Sequence, residues 1–261
     1  MLAAVFIVPL VWMVLTSVKT YSTAQQSPPT WLPNPVSGYG YDRLFQPGSQ
    51  NPVLLWFVNS MAAATMQAAL VLVTASTAAY ALARMRFAGR RLMFAVIVAT
   101  LFVPPATLII PNFLIADTLN WLDTLAVVVV PGAASAFGVF FLRQFFLTLP
   151  HELEEAAILD GANQWQVFLR VVLPLSKPAL ATLTVLSFLT NWNDFLWPIY
   201  TLFSPEKQTL PAGLSTLQSA NSVRYDLLMA GAMISAVPVL ILYAFTQRFI
   251  VEGIASAGMK D

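Results

Sequence analysis

Charged residues are almost absent from six long apolar stretches of the sequence. Five of these stretches contain no Asp, Glu, Lys or Arg, and the sixth contains only Asp194. A helix that crosses a membrane requires roughly 20 mostly apolar residues, so each stretch has room for one. The pattern therefore predicts six transmembrane helices near residues 2–17, 54–82, 92–115, 124–146, 178–200 and 227–249.

Two other folds could contain long apolar segments, and the pattern disfavours both. One apolar helix can be buried in a soluble core, but six in a chain of 261 residues cannot. A membrane β-barrel would alternate apolar and polar residues over strands of about ten residues, whereas these runs are unbroken. Only 10% of the residues are charged, against about 25% in soluble domains. We therefore expect an all-α integral membrane protein with a single transmembrane domain over residues 1–261.

The first predicted span is the weakest of the six. It is short, includes Pro9 and lacks the basic flank that precedes an inserted helix or a secretory signal. Residues 20–26 contain no convincing small-residue cleavage site. We expect a true span whose start has been clipped or misassigned, rather than a cleaved signal.

Lys and Arg are unevenly divided between the two sets of connections. One set holds Arg84, Arg86, Arg90, Arg91, Arg143, Arg170, Lys177, Arg248 and Lys260. The other set holds Lys19, Arg43, Lys207 and Arg224. Because cytoplasmic connections carry the excess of Lys and Arg, the first set and both termini are predicted to be cytoplasmic. The outward segments are then residues 18–53, 116–123 and 201–226.

The longest cytoplasmic connection, residues 147–177, has the pattern of a helical hairpin. Thr148 is placed to cap a first short helix, and Pro150 fits its first turn. Gly161 fits the C′ position, where a left-handed backbone costs glycine little. Pro174 is expected to help end the second helix. The first helix has acidic residues at its positive end, namely Glu152, Glu154 and Glu155. The second helix has an apolar face formed by Trp165, Phe168, Leu169 and Val172.

The same segment resembles a family signature. Glu155-Ala156-Ala157, Gly161 and Val171-Val172-Leu173-Pro174 resemble the EAA loop, which marks the membrane subunits of binding-protein-dependent ABC importers. Three flanking motifs are similar to the carbohydrate branch of that family, and to the second permease of maltose-type sugar importers: Phe141-Leu142-Arg143-Gln144-Phe145-Phe146, Trp192-Asn193-Asp194-Phe195-Leu196-Trp197-Pro198 and Gln247-Arg248-Phe249-Ile250-Val251-Glu252-Gly253. The chain departs from the family pattern at its amino terminus, which lacks basic residues, and in residues 255–261.

This resemblance implies the type I ABC importer permease fold, and it implies that the loop is a coupling helix. Glu155 would meet a basic group of the ATP-binding subunit, Ala156 and Ala157 would pack closely, and Gly161 would make the bend. The coupling residues implied in this way are Glu154, Glu155, Ala156, Ala157, Asp160, Gly161, Leu173 and Pro174. The alternative is an amphipathic hairpin that lies on lipid, which three acidic residues in one turn suit poorly.

The resemblance also implies partners and a location. These are a second, homologous permease, two ATP-binding subunits, an extracytoplasmic solute-binding protein, membrane lipid and a sugar, in the inner or plasma membrane of a prokaryotic cell. The chain has no Gly-x-x-x-x-Gly-Lys-[Ser/Thr] loop, so ATP and Mg are expected in the partner subunits and no catalytic role is expected here.

The composition gives little support to other functional classes. With one His and no Cys we expect no metal site or cofactor site, and a net charge of +1 indicates no nucleic-acid partner. An intramembrane enzyme would need a paired nucleophile or a metal constellation, and neither is present. The alternative function is an ion-coupled secondary transporter, which would need intramembrane ionisable residues. Asp194 is the one obvious example.

Polar residues inside the predicted spans are candidates for the translocation pathway. Asp194 and its neighbours combine amide, carboxylate and aromatic groups that suit a hydroxyl-rich solute, and the alternatives are an interhelical contact or a stabilised kink before Pro198. Because the resembled family shares these residues whatever its sugar, a structural or gating role is favoured over sugar contact. Gln67, Thr74 and Thr77 share one face of the second span, which either lines a cavity or binds a neighbouring helix. The pathway candidates are Asn59, Gln67, Asn191, Trp192, Asn193 and Asp194.

Proline and small residues predict local geometry in the third and fourth spans. Pro104-Pro105 and Pro111 are expected to interrupt or kink the third span, because proline removes a backbone donor. Gly132 to Ala136 and Gly138 are expected to allow close helix packing in the fourth. Outward segments 18–53 and 201–226 are the expected docking sites of the binding protein. For the aromatic first segment, an interfacial belt is the alternative.

Overall fold

The structure is a computed structural model, and it describes residues 2–46, 51–219 and 222–258. Side chains are described for residues 5–46, 51–218 and 224–245. The tail motif that begins at Gln247 has its side chains outside this part of the chain, and Lys260 and the predicted turn at 47–50 lie outside the described residues.

The described residues are almost entirely helical. The α-helices are α1 Leu2–Ser17, α2 Tyr21–Ala24, α3 Tyr39–Leu44, α4 Val53–Arg84, α5 Arg90–Thr100, α6 Ile109–Thr118, α7 Leu125–Val129, α8 Ala136–Thr148, α9 Glu152–Leu159, α10 Gln164–Val167, α11 Leu173–Leu175, α12 Lys177–Trp192, α13 Leu196–Thr201, α14 Leu210–Thr216 and α15 Tyr225–Gly258. Short 3-10 turns occupy Pro105–Leu108, Pro131–Ala133 and Pro205–Lys207, and a π-helix occupies Phe168–Val172. Two short strands, β1 Gln218–Ser219 and β2 Ser222–Val223, pair antiparallel with Gln218 opposite Val223.

The chain divides into two compact units. The first contains Met1–Ala62, Leu122–Leu125 and Trp192–Leu242. The second contains Ala63–Trp121, Ala126–Asn191 and Tyr243–Asp261. Long helices α4 and α15 contribute residues to both units.

Among the described residues, two single helices are each long and apolar enough to cross a membrane: Val53–Arg84 and the Tyr225–Phe245 part of α15. Three bent helix pairs also qualify when each pair is counted as one span: Arg90–Thr100 with Pro105–Thr118, Leu125–Ala133 with Ala136–Thr148, and Gln164–Leu175 with Lys177–Trp192. Their bends are 95°, 41° and 79° respectively. Helix α1 is apolar but has only 16 residues.

The third predicted helix, residues 92–115, is in fact two helices with a break at residues 101–104. The expectation that Pro104 and Pro105 interrupt it is confirmed. Pro104 has extended backbone (φ −62°, ψ 129°), and Pro105 begins the 3-10 turn that leads into α6. The reason is that proline cannot donate the helical hydrogen bond and disfavours helical backbone in the residue before it.

The predicted continuous helices at 124–146 and 178–200 are also wrong in detail. Residues 130–135 separate α7 from α8, where Ser135 caps α8 by accepting the Gly138 N–H at 3.0 Å. Residues 193–195 separate α12 from α13. There Oδ1 of Asp194 accepts the Trp197 N–H at 3.3 Å, so a new helix begins.

Close packing around small residues is confirmed in the second unit. A Cβ atom added to Gly138 would lie 3.0 Å from the Cβ of Ala75, and one added to Gly132 would lie 2.6 Å from the side chain of Gln67. The core of this unit joins α4, α8, the segment of residues 164–172 and α12 through fully buried residues: Ala75, Ala79, Leu142, Phe146, Val167, Val172 and Leu183.

Candidate functional site

The segment of residues 147–177 folds as a helical hairpin whose turn is made at Gly161. Gly161 has a φ of +86°, in the left-handed region. The Gly161 N–H donates to the Ile158 carbonyl at 3.0 Å, and the Ala162 N–H donates to the Ala157 carbonyl at 2.9 Å. These two bonds form the Schellman motif that ends a helix. The prediction that Gly161 lies at the C′ position is confirmed.

The beginning of the first arm differs from the prediction. Thr148 does not cap α9. It is the last residue of α8, and its hydroxyl donates to the Phe145 carbonyl at 2.7 Å. His151 is the N-cap of α9 and makes no side-chain capping bond. Pro150 therefore precedes the helix, because α8 continues to Thr148, two residues beyond the predicted end at 146.

The second arm is also more irregular than one amphipathic helix. Asn163 caps it with a capping box, in which the Asn163 carboxamide accepts the Gln166 N–H and Gln166 accepts the Asn163 N–H, both at 2.9 Å. The Asn-x-x-Gln spacing was a signal that the sequence analysis overlooked. Pro174 does not end this arm, because it lies within α11 and the chain turns only at Ser176.

The predicted apolar face of the second arm is divided between the interior and the surface. Phe168 and Val172 are buried, whereas Trp165 is 58% and Leu169 is 44% exposed. The π-helix at Phe168–Val172 is the reason, because its wider turn changes which side chains share a face.

Most of the implied coupling residues lie on the surface of the hairpin. Glu155, Ala156, Asp160, Gly161 and Pro174 are exposed, while Ala157 and Leu173 are half-buried. Glu154 is the exception, since it is only 8% exposed. Large apolar side chains share the exposed surface: Leu153, Ile158, Leu159 and Trp165. We call the exposed surface of Leu153, Glu155, Ile158, Leu159 and Trp165 the hairpin surface.

Glu154 points inward because it pairs with Arg84, the last residue of α4. Its Oε1 atom lies 2.8 Å from Nε of Arg84. Nη2 of Arg84 also donates to the carbonyls of Phe146 at 2.6 Å and Leu149 at 2.8 Å. Nη1 lies 2.9 Å from Nδ1 of His151. We call these five residues the Arg84 joint. The sequence analysis used Arg84 only as a topology marker.

Two pathway candidates, Gln67 and Asn191, form a buried contact between helices. Nδ2 of Asn191 donates to Oε1 of Gln67 at 2.5 Å and to the Val128 carbonyl at 2.8 Å. Gln67 and Asn191 are 7% and 8% exposed. Of the two readings left open for Gln67, the structure therefore favours binding a neighbouring helix. Thr74 behaves similarly, since its hydroxyl lies 2.7 Å from the Ala133 carbonyl.

The side chains of Trp192 and Asn59 also make hydrogen bonds within the first unit. Trp192 is 1% exposed, and its indole N–H donates to the Ser235 carbonyl at 3.2 Å. Its ring lies 5.7 Å from the ring of Phe57 in an edge-on arrangement. Nδ2 of Asn59 donates to the carbonyls of Glu206 at 2.8 Å and Gln208 at 3.0 Å.

Asn193 and Asp194 are the two pathway candidates that keep accessible side chains. Asn193 is exposed, and Asp194 is half-buried. The Trp197 N–H reaches only Oδ1 of Asp194. Both residues occupy the break between α12 and α13, where the backbone is not helical.

The loop at residues 203–210, predicted to face outward, is held by polar contacts that the sequence analysis missed. Oδ1 of Asp123 accepts the N–H groups of Phe203 at 3.0 Å and Ser204 at 2.9 Å. Oδ2 of Asp123 accepts hydrogen bonds from the Ser204 hydroxyl and from Nζ of Lys207. Burial raises the pKa of Asp123, but the hydrogen bonds from Ser204, Lys207 and Phe203 outweigh it and lower the pKa to about 2.

A second buried polar contact, also in a segment predicted to face outward, lies at the start of α15. The guanidinium of Arg224 makes two hydrogen bonds to Asp226, at 3.0 and 2.7 Å, and Asp226 is fully buried. The ring of Tyr21 lies 4.8 Å from the Arg224 guanidinium carbon. The hydrogen bond to Asp226 raises the pKa of Arg224 above its usual range. Within the described residues, no group of three or more His, Cys, Asp or Glu side chains is placed to bind a metal ion.

Comparison with known proteins identifies the class of this chain. Residues 71–255 match the family model described as binding-protein-dependent transport system inner membrane component. The arabinooligosaccharides transport system permease protein AraQ of Halalkalibacterium halodurans is 38% identical over 78% of this chain and 74% of its own length. The lactose transport system permease protein LacG of Rhizobium radiobacter is 33% identical over 95% of this chain and 89% of its own length.

A solved structure shares the fold. A chain in the crystal structure of a bacterial ABC transporter that imports the acidic polysaccharide alginate matches with a TM-score of 0.83 and 25% identity. The match covers 95% of this chain and 91% of that one. The chain described here thus belongs to the family of binding-protein-dependent transport system inner membrane components, the membrane permease subunits of ABC importers.

Proposed function

We propose that this chain is one half of a heterodimeric permease that imports a sugar. Its partners would be a second, homologous permease, two ATP-binding subunits that hold ATP and Mg, and an extracytoplasmic solute-binding protein. The carbohydrate class is supported by relatives named for arabinooligosaccharides and lactose, and by a structural neighbour that imports alginate. A match over residues 71–255 to a binding-protein-dependent family gives no support to the ion-coupled alternative.

We propose that the chain crosses the membrane six times with both termini in the cytoplasm. The two long helices provide two spans, the first two bent pairs provide two more, and α12 of the third pair provides the fifth, because Gln164–Leu175 belongs to the hairpin. Helix α1 provides the sixth span. Arg84, Arg86, Arg90 and Arg91 then lie on the cytoplasmic side, as the positive-inside rule requires.

The hairpin surface is the observation that carries the coupling role. It combines exposed apolar side chains with the exposed carboxylate of Glu155, on a helix that is shielded from behind by the rest of its unit. Exposed apolar patches of this kind mark sites where another protein binds. The two exposed acidic residues of the first turn, Glu152 and Glu155, make a poor contact with anionic lipid. We therefore propose that the ATP-binding subunit covers this surface, with Glu155 against a basic group.

The transport cycle follows from this arrangement. A loaded binding protein docks on the outward segments 18–53 and 201–226. Closure of the ATP-binding subunits on ATP draws the two coupling helices together and opens the pathway outward. The solute then enters a cavity near the middle of the membrane, and hydrolysis restores the inward-facing state. Asn193 and Asp194 are the proposed solute contacts, because amide and carboxylate oxygens can bind sugar hydroxyls.

The experiment compares two acidic residues of the same helical turn in the reconstituted complex. Glu155→Ala should abolish ATP-dependent uptake and weaken co-purification of the ATP-binding subunit, while the chain stays in the membrane. Glu152→Ala is the matched control, because Glu152 is also exposed in the first turn of α9 but is not among the implied docking residues. Equal uptake by the two variants would refute the coupling role. An ATPase response to none of a panel of sugars would refute only the sugar class.

A further inference from the structure

One buried arginine attaches the cytoplasmic hairpin to the end of α4. The side chain of Arg84 is 2% exposed and that of Glu154 is 11% exposed, so water screens their attraction little. The same guanidinium donates to the carbonyls of Phe146 and Leu149, which end α8 and begin the linker to α9. A planar guanidinium can serve several acceptors at once in a fixed geometry, which an ammonium cannot do.

The second arm of the hairpin is attached to α4 one turn earlier. The hydroxyl of Tyr80 donates to Oε1 of Gln164 at 2.9 Å, and the rings of Tyr80 and Phe168 lie 4.9 Å apart. Tyr80 and Arg84 are four residues apart and therefore share a face of α4. Both arms are thus held by the last two turns of one 32-residue helix.

This arrangement limits how α9 can move. If α9 shifted while α4 stayed in place, Glu154 and Arg84 would separate and leave two buried charges unpaired, which is strongly unfavourable. A shift of α9 that carries α4 and the end of α8 with it leaves every contact of the Arg84 joint intact. The joint movement therefore costs less free energy than a movement of α9 alone.

We propose that Arg84 is a positioning residue that makes α9 and the inner half of α4 move together, so that displacement of α9 reaches the membrane-spanning part of α4. This inference rests on the proposed role of α9 as the coupling helix. It assigns to Arg84 and Glu154 a function within the chain, whereas Glu155 is assigned to the contact with the ATP-binding subunit.

The first test measures solute transported per ATP hydrolysed in the full reconstituted complex. Arg84→Gln and Glu154→Gln should each lower this ratio about 5-fold or more, the usual lower range of an allosteric coupling, with the ATP-binding subunits still bound. The double variant should be no worse than the more affected single variant, because both changes remove the same contact. Arg86→Gln and Glu152→Gln, exposed neighbours of each residue, should keep the original ratio. An unchanged ratio in Arg84→Gln would overturn the proposal.

The second test needs no change to the joint, so it holds even if the Arg84 variants fail to assemble. The chain has no cysteine, so Val73→Cys and Glu152→Cys can carry a pair of spin labels in a complex whose other subunits lack accessible cysteines. Val73 is 63% exposed and lies eleven residues before Arg84, which is about 16 Å along the helix axis. The label distance should be the same in the nucleotide-free and ATP-bound complexes.

The outcomes separate this inference from the proposed function. A label distance that changes between the two states by more than its own spread would overturn the joint movement. A Glu155→Ala complex that transports normally would instead refute the docking surface, whatever the result for Arg84. Parallel loss of uptake and ATPase activity in Arg84→Gln, with the ratio kept, would reduce Arg84 to a purely structural anchor and overturn the proposal.

Discussion

The side chains of Asn191 and Gln67 meet at 2.5 Å although 124 residues separate them in the chain. Asn191 also donates to the Val128 carbonyl, so one amide connects α12 with α4 and α7. Gly132 packs directly against Gln67, where any larger residue would displace the Gln67 carboxamide. This contact is a buried polar contact between helices, and both side chains are less than a tenth exposed.

Replacement of Asn191 should therefore cost stability without changing solute affinity. Asn191→Ala leaves Oε1 of Gln67 without its Asn191 donor. Hydrogen bonds between membrane helices contribute about 0.6 kcal/mol on average and up to about 1.7, so a loss in this range is expected. Thermal unfolding of the purified complex measures it. An unchanged unfolding temperature in Asn191→Ala would contradict this role.

Substitutions at Gly161 should follow the cost of its left-handed backbone. An added Cβ would meet no atom within 4 Å, so backbone conformation alone decides the effect. Asn should be tolerated best, because it adopts this conformation readily. Ala should cost about 1–2 kcal/mol. Pro should disrupt the turn, because it cannot adopt a positive φ and lacks the N–H that binds the Ile158 carbonyl.

Uptake by the reconstituted complex should then decrease in the order Gly, Asn, Ala, Pro. Co-purification of the ATP-binding subunit should decrease in the same order. Normal uptake by Gly161→Pro would contradict the role of this turn in coupling.

The Asp123 contact should be stable at neutral pH and disappear only in strong acid. Because the hydrogen bonds lower the pKa of Asp123 to about 2 from an ordinary 3.8, they stabilise the folded loop above the ordinary value. That stabilisation is lost progressively as the pH falls from about 4 to about 2. Hydrogen exchange at the amides of Phe203 and Ser204 reports on the contact directly.

A comparison with Asp123→Ala at each pH removes the intrinsic pH dependence of exchange. The original chain should be better protected than the variant from neutral pH down to about pH 4, and the difference should vanish near pH 2. Equal protection at neutral pH would show that Asp123 does not hold the loop.

Asp226 should be important for the stability of the first unit. It is fully buried and pairs with Arg224, whose side chain is 28% exposed. Breaking a buried ion pair from one side costs about 3–5 kcal/mol. Because Arg224 can regain some water, we expect the lower end of this range for Asp226→Ala. Asp42→Ala is the control, since Asp42 is exposed, and it should unfold at the original temperature.

Asp194 offers a test of its two possible roles. Asp194→Asn keeps an oxygen that can accept the Trp197 N–H, so the start of α13 should be preserved. A sugar hydroxyl would instead lose a hydrogen bond to a charged group, which is worth about 1.5–3 kcal/mol. The apparent KM for uptake should therefore rise about tenfold or more. An unchanged KM in Asp194→Asn, with loss of assembly in Asp194→Ala, would make Asp194 a helix cap only.

Local features of this protein were predictable from the chain. The gaps between charges located the apolar segments, because hydrocarbon excludes charge over the length of a helix. Gly161 was located at its turn because a left-handed residue after a helix favours glycine. The break at Pro104 followed from the missing N–H of proline. Each of these conclusions depends on residues close together in sequence.

Which polar side chain faces which neighbour was decided by tertiary packing. Glu154 and Glu155 are adjacent acids on one helix, and their spacing does not say which turns inward. In the folded chain, Glu154 turns inward because it pairs with Arg84, which lies 70 positions earlier in the sequence. The same holds for Gln67 and Asn191, which had equal reason to face a solute or another helix. Helical periodicity assigns residues to faces, but only the packing of distant segments determines what each face touches.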